Sequence, residues 1–145
     1  MKCIFLDIDG VLVTWPGQKP IPIAVAAINS WLTQHPDWHV VISSSWRLEH
    51  TLQAIGSMLT KIGFQHSERI QGVTPIINKK NGMPAARILE IRAFLDQHDI
   101  SDFIVIDDQP ISIDMDGDQF MDHIILNRLV EVNPHRGLRP DDFDI

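Results

Sequence analysis

The sequence predicts an α/β fold in three layers, with helices on both faces of a central, mostly parallel five-stranded sheet. Two observations carry this. Short apolar runs alternate with segments of helical periodicity along the whole chain. Strands separated by helices run in the same direction, and their sheet is covered on both faces. The chain has 145 residues, 44% apolar and 21% charged, which suits one domain with one core, taken as residues 1–145.

The elements follow in order. Lys2 to Ile8 reads as a buried strand broken by Gly10, and residues 14–20, with two prolines and a glycine, as a loop. Ile23 to Gln34 reads as a helix, with Pro22 in its first turn and Val25, Ile28, Trp31 and Leu32 as its apolar stripe. Pro36 ends it. His39 to Ser43 is a second strand that runs into a serine cluster. Leu48 to Ile62 has Leu52, Ile55, Leu59 and Ile62 at helical spacing, and Gly63 follows as a stop. Residues 64–83 are irregular, with a short strand near Arg69 to Val73. Pro84 to Gln97 is the third helix, with Ile88, Ile91 and Leu95 inward. Asp102 to Asp107 is another strand, residues 109–119 an acidic loop, and His123 to Leu126 a last short strand. The tail from Asn133 reads as loop or short helix. Repeats and linkers are absent.

Charge and composition exclude several classes of function. The net charge is -7, with Lys and Arg scattered, which argues against a broad basic face for a nucleic-acid backbone. A nucleic-acid end stays open as a substrate, since a metal ion and a few cations hold a terminal phosphate. Cys3 is the only cysteine, so no intrachain disulfide forms, and its apolar run implies a buried, inert thiol. The longest apolar stretch, Ile21 to Ile28, is too short for a membrane span and contains Pro22. Asp7 and Asp9 interrupt the first run too early for a signal peptide, which makes the cytoplasm the expected location.

In a parallel sheet the ligand site lies beyond the carboxyl ends of the strands. The first strand delivers Asp7-Ile8-Asp9-Gly10, the second Ser43-Ser44-Ser45 followed by Trp46-Arg47, and the fourth Asp107-Asp108. Four carboxylates on one rim repel one another and need a cation. Hard oxygen donors of this kind suit Mg²⁺. Asp7 and Asp9, two residues apart on a strand, point the same way. One can act as nucleophile and the other as acid and then base. Gly10 permits a sharp turn that brings backbone N–H groups to an oxyanion. The serines suit a helix cap and an anion site together. Arg47 reads equally as a phosphate contact or a salt-bridge partner, and Trp46 as core. Asp114 to Asp118 fails as a calcium loop, because Gln119 stands where that loop needs Gly and Ile125 where it needs Glu. Asp114 reads as an outer acid near the metal or a solvated loop residue.

Phe5-Leu6-Asp7-Ile8-Asp9-Gly10-Val11-Leu12 resembles the first motif of the haloacid dehalogenase-like (HAD) phosphatase superfamily. Val40-Val41-Ile42-Ser43 is similar to its second motif, and Ile104-Val105-Ile106-Asp107-Asp108 to its acidic fourth. The resemblance implies a Rossmannoid fold and makes Asp7 the nucleophile and Asp9 the acid/base. It also implies that Ser43, with Ser44 as competitor, binds the phosphoryl group. Asp108, with Asp107 beside it and the Asp9 carbonyl, would hold Mg²⁺ together with Asp7. The third motif is a cation, for which Lys79, Lys80 and Arg87 compete. Ser-Ser-Ser-Trp-Arg, Thr74-Pro75 and Arg87-x-x-Glu90-Ile91 look like the small HAD domains associated with RNA-repair proteins, which favours Arg87. Residues 13–21 and 64–83 are too short for a cap domain. An uncapped site implies a bulky phosphorylated substrate: a nucleotide, a nucleic-acid end or a phosphoprotein. A receiver-like domain, or a silent Mg²⁺- or phosphate-binding domain acting through a partner, stands as the alternative.

Overall fold

Lys2–Leu6 (β1), Trp38–Ile42 (β2), Ile70–Val73 (β3), Asp102–Asp107 (β4) and Leu129–Glu131 (β5) form one sheet in the order β3-β2-β1-β4-β5. Every neighbouring pair is parallel, so β1 sits at the centre. The computed structural model describes residues 1–144. The helices are Pro22–Gln34 (α1), Leu52–Lys61 (α2), Arg87–Gln97 (α3) and the single turn His123–Leu126 (α4). Among the described residues there is no cap domain. Among the described residues no helix is long and apolar enough to cross a membrane.

The pleat sorts the side chains of the central strands between two cores. Ile4 and Leu6 of β1, with Val40, Ile42, Ile104 and Ile106 of its neighbours, pack against α1 and α2. Cys3 and Phe5, with Val41 and Val105, pack against α3 and α4 through Ile88, Ile91, Phe94 and Ile125. Full burial of one such side chain is worth roughly 1.5–3 kcal/mol, so the two layers fix the strand register firmly. Leu6 lies beside Ile42 and Ile106. One residue further on, Asp7, Ser43 and Asp107 continue the row of Phe5, Val41 and Val105 and face the α3 side. The register therefore sets these three positions side by side at the strand ends, where the Asp7 and Asp107 carboxylates meet. Burial also pushes the Cys3 thiol up to about 12, which makes it the inert core thiol expected.

The structure corrects three sequence-based expectations. The helix expected from Leu48 to Ile62 is split: Ser45–Leu48 forms a 3₁₀ turn and α2 begins at Leu52. The break lies at Thr51, whose Oγ1 accepts from the Ala54 N–H and caps the new helix. The third helix starts at Arg87 rather than Pro84, because residues 78–84 close a small hairpin with Asn78 paired to Pro84. His123–Leu126 is helical, not a strand: the Asp122 carboxylate accepts from the Ile125 N–H at its start. The fifth strand lies just beyond, at Leu129–Glu131, in register with Val105 to Asp107. Four apolar residues carry too little periodicity to separate the two states. The tail closes over α1, with Leu138 buried and Phe143 stacked on Trp31 at 5.4 Å.

Candidate active site

A cavity of about 560 Å³ opens at the carboxyl ends of β1, β2 and β4, and Asp7, Asp9, Arg87 and Asp108 line it. Asp7, 2% exposed, directly follows β1. Its N–H donates to the Ile106 carbonyl at 3.0 Å, which fixes the strand end against β4. Asp7, Asp107 and Asp108 each offer a carboxylate oxygen within 4.8 Å of the others. Burial, and then the Asp107 charge, push the Asp7 carboxyl well above its usual range, while Arg87 pulls it back. Asp107 is raised as well, chiefly by burial, against the pull of Arg87.

Arg87 is the first residue of α3, which covers this face of the sheet. Its Nη1 lies 3.2 Å from Asp7 Oδ1 and 2.7 Å from Asp107 Oδ2. One guanidinium against three carboxylates leaves a negative excess. Asp108 Oδ1 is buried with no hydrogen-bond partner. None of the loop's backbone hydrogen bonds ends on the Asp9 carbonyl. An all-oxygen cluster with an unpartnered buried oxygen fits a divalent metal ion such as Mg²⁺. Asp9 is not one of the three clustered carboxylates, and its side chain is engaged elsewhere. Its Oδ1 accepts from Trp46 Nε1 at 3.1 Å and from Gln18 Nε2 at 3.3 Å.

The serines part company. The Ser43 hydroxyl is buried without a hydrogen-bond partner. The Ser44 hydroxyl accepts from the Trp46 N–H at 3.2 Å and caps the 3₁₀ turn, so its geometry is that of a cap. Gly10 also departs from expectation. Its N–H donates to the Val13 carbonyl at 2.8 Å and is not free for an oxyanion. Glycine is needed there for another reason: φ is +78°, and a Cβ would come within 2.2 Å of Asp108 Oδ2. The missing Cβ at Gly10 leaves room for the Asp108 carboxylate beside it.

Two of the other candidate cations, Lys79 and Arg47, go to structural work. Lys79 lies 3.0 Å from Asp114 and 2.8 Å from both Asp116 and Asp118, so it ties the 78–84 hairpin to the acidic loop. Lys80 is exposed. Arg47 Nη2 pairs with Glu90 Oε1 at 2.7 Å, with both side chains 6% exposed. Its Nε and Nη1 donate to the carbonyls of Thr74 and Ser44. The site thus takes its positive charge from Arg87. Sequence reasoning missed Trp46 and Gln18 as partners of Asp9. Trp46 directly follows the serine cluster, which was the only signal available.

The model of one protein family, the HAD domain in Swiss Army Knife RNA repair proteins, matches residues 3–143. No curated protein and no solved structure matches the chain.

Proposed function

We propose, from the premise that the chain belongs to the family of HAD domains in Swiss Army Knife RNA repair proteins, that it hydrolyses a phosphate monoester through an aspartyl-phosphate on Asp7. The observation that carries this reading is the convergence of Asp7, Asp107 and Asp108 within 4.8 Å, with Arg87 against two of them. Two strand ends and a helix start supply these groups from three separate parts of the chain.

The Asp7 carboxylate attacks phosphorus in line, and the ester P–O bond breaks as the new P–O bond forms. Asp9 gives its proton to the departing oxygen. It then takes a proton from water, whose oxygen attacks phosphorus and frees Asp7. Arg87 and the Ser43 hydroxyl bind the phosphoryl oxygens. Asp7, Asp107, Asp108 and the Asp9 carbonyl would hold Mg²⁺, which when bound supplies charge neutralisation for the phosphoryl group.

The rim supports a nucleotide or nucleic-acid end as the phosphorylated partner. Trp15, Leu48, Ile76, Ile113 and Met115 line the same cavity and are exposed, Trp15 by 66%. Five carboxylates line it against two guanidiniums, both paired. That balance disfavours a polyanionic backbone and favours a flat leaving group stacked on the indole. Trp15→Ala is expected to raise KM about 10-fold for a nucleotide, at the lower end of measured base-stacking losses, and to leave glycerol phosphate unchanged. Steady-state kinetics on the two substrates read this.

The reading is tested by a Mg²⁺-dependent phosphatase assay. It compares an aryl phosphate, nucleotides, and 3′- and 5′-phosphorylated oligonucleotides. Turnover is expected on at least one nucleotide-bearing class, lost in EDTA and restored by Mg²⁺. A stable phospho-Asp without turnover points to a receiver-like domain, and no hydrolysis of any substrate to a silent one; either sinks the proposal.

A further inference from the structure

Both hydrogen bonds recorded on the Asp9 carboxylate end on the same oxygen, Oδ1: one from Trp46 Nε1 at 3.1 Å and one from Gln18 Nε2 at 3.3 Å. Among the described residues none ends on Oδ2. The two donors differ in firmness. Gln18 lies on the exposed 14–20 loop with φ 51°. Trp46 is 8% exposed and packs in the core beneath α1 and α2. Its N–H is held by the Ser44 hydroxyl at 3.2 Å, and its carbonyl accepts from Glu49 and His50. The indole ring is therefore fixed before any substrate arrives.

An indole N–H donates and cannot accept. A carboxylic acid carries its proton on one oxygen. A proton on Oδ1 would meet two N–H groups pointing at it, whereas a proton on Oδ2 meets none. We infer that Trp46 is a positioning residue that holds Asp9 by Oδ1 and thereby makes Oδ2 the oxygen that delivers the proton to the leaving group. This rests on the assignment of Asp9 as the acid. Both the orientation of the carboxylate and the site of its proton are set by one buried side chain, 37 residues away in sequence.

The experiment exploits leaving-group dependence. An alkyl phosphate needs its leaving oxygen protonated, and p-nitrophenyl phosphate does not. The parameter read is kcat/KM, which ends at phosphoryl transfer and so excludes the later hydrolysis of the aspartyl-phosphate. Trp46→Phe keeps most of the buried aromatic volume and removes the N–H. It is expected to lower kcat/KM on glycerol phosphate about 10- to 100-fold, part of what a general acid contributes. On p-nitrophenyl phosphate the change should stay within about threefold. Asp9→Asn should show the same split, more strongly. Equal loss on both substrates, or no loss on the alkyl ester, overturns the role of Trp46. An Asp9→Asn enzyme that keeps its alkyl activity instead removes the acid assignment on which the inference rests. Should Trp46→Phe fail to fold, replacing Trp46 with benzothienylalanine keeps the bicyclic shape without the N–H and must reproduce the split.

Discussion

Asp7→Asn is expected to abolish turnover, by about 10⁴-fold or more in kcat, while the melting temperature in metal-free buffer stays level or rises. The two halves of this result come from the same crowding. Asn is nearly isosteric with Asp, so the buried end of β1 keeps its packing and the N–H to the Ile106 carbonyl is untouched. The amide carries no charge and cannot form the acyl phosphate. It also removes one of three carboxylates held within 4.8 Å of one another. Arg87 keeps its shorter contact, the 2.7 Å pair with Asp107. Burial and like-charge repulsion make the ionised Asp7 a cost to the folded state, and a neutral side chain relieves that cost. Steady-state kinetics and a thermal melt, run on the same preparation, check both halves. Near-wild-type turnover would remove Asp7 as nucleophile. A large fall in melting temperature would instead make the aspartate a structural group.

The parts of this molecule that were legible in the sequence are those set by local pattern. β1 and β4 are continuous apolar runs that end in acids, and a parallel sheet brings such ends together whatever the details of the loops. Asp7 and Asp107 could therefore be placed on one rim. The capless outline followed from the shortness of residues 13–21 and 64–83. What stayed hidden depends on pairings between distant segments. Arg87 was favoured over Lys79 and Lys80 for the third-motif cation only through resemblance, and it took the hairpin at 78–84 to carry Lys79 to the acidic loop. Ser43 and Ser44 differ only in which way the strand end turns. Arg47 could not be separated from a phosphate ligand, because its partner Glu90 lies on another element. The exchange of α4 for β5 has a different cause: His123–Leu126 and Leu129–Glu131 are both too short for periodicity, and the capping by Asp122 decides between them.

Breaking the Arg47–Glu90 pair is expected to cost roughly 3–5 kcal/mol of stability, because it leaves one charge buried and unpaired. The pair is short, 2.7 Å, and both side chains are 6% exposed. Arg47 also donates to the carbonyls of Thr74 and Ser44, and Glu90 Oε2 accepts from the Ile77 N–H at 3.0 Å. These bonds tie the end of β2, the segment after β3 and the start of α3 to one another. Arg87 stands one turn before Glu90 on that helix, so the pair also aims Arg87 at Asp7. Arg47→Met leaves Glu90 charged and two carbonyls without their donor, whereas Glu90→Gln leaves the guanidinium unmatched. Urea unfolding should show a fall in midpoint at constant slope for each single variant. The double variant should lose less than the sum of the two, which is the sign of direct coupling. Glu90→Gln should also lower kcat, through the loosened start of α3. The opposite pattern, a raised KM for Arg47→Met with the unfolding midpoint unmoved, would make Arg47 a phosphate ligand. The geometry argues against that, since the guanidinium already meets a carboxylate and two carbonyls inside the protein. At a typical domain stability of about 5–15 kcal/mol, a loss of this size leaves little margin. The ion pair thus sets how well the fold holds the cation that the site depends on.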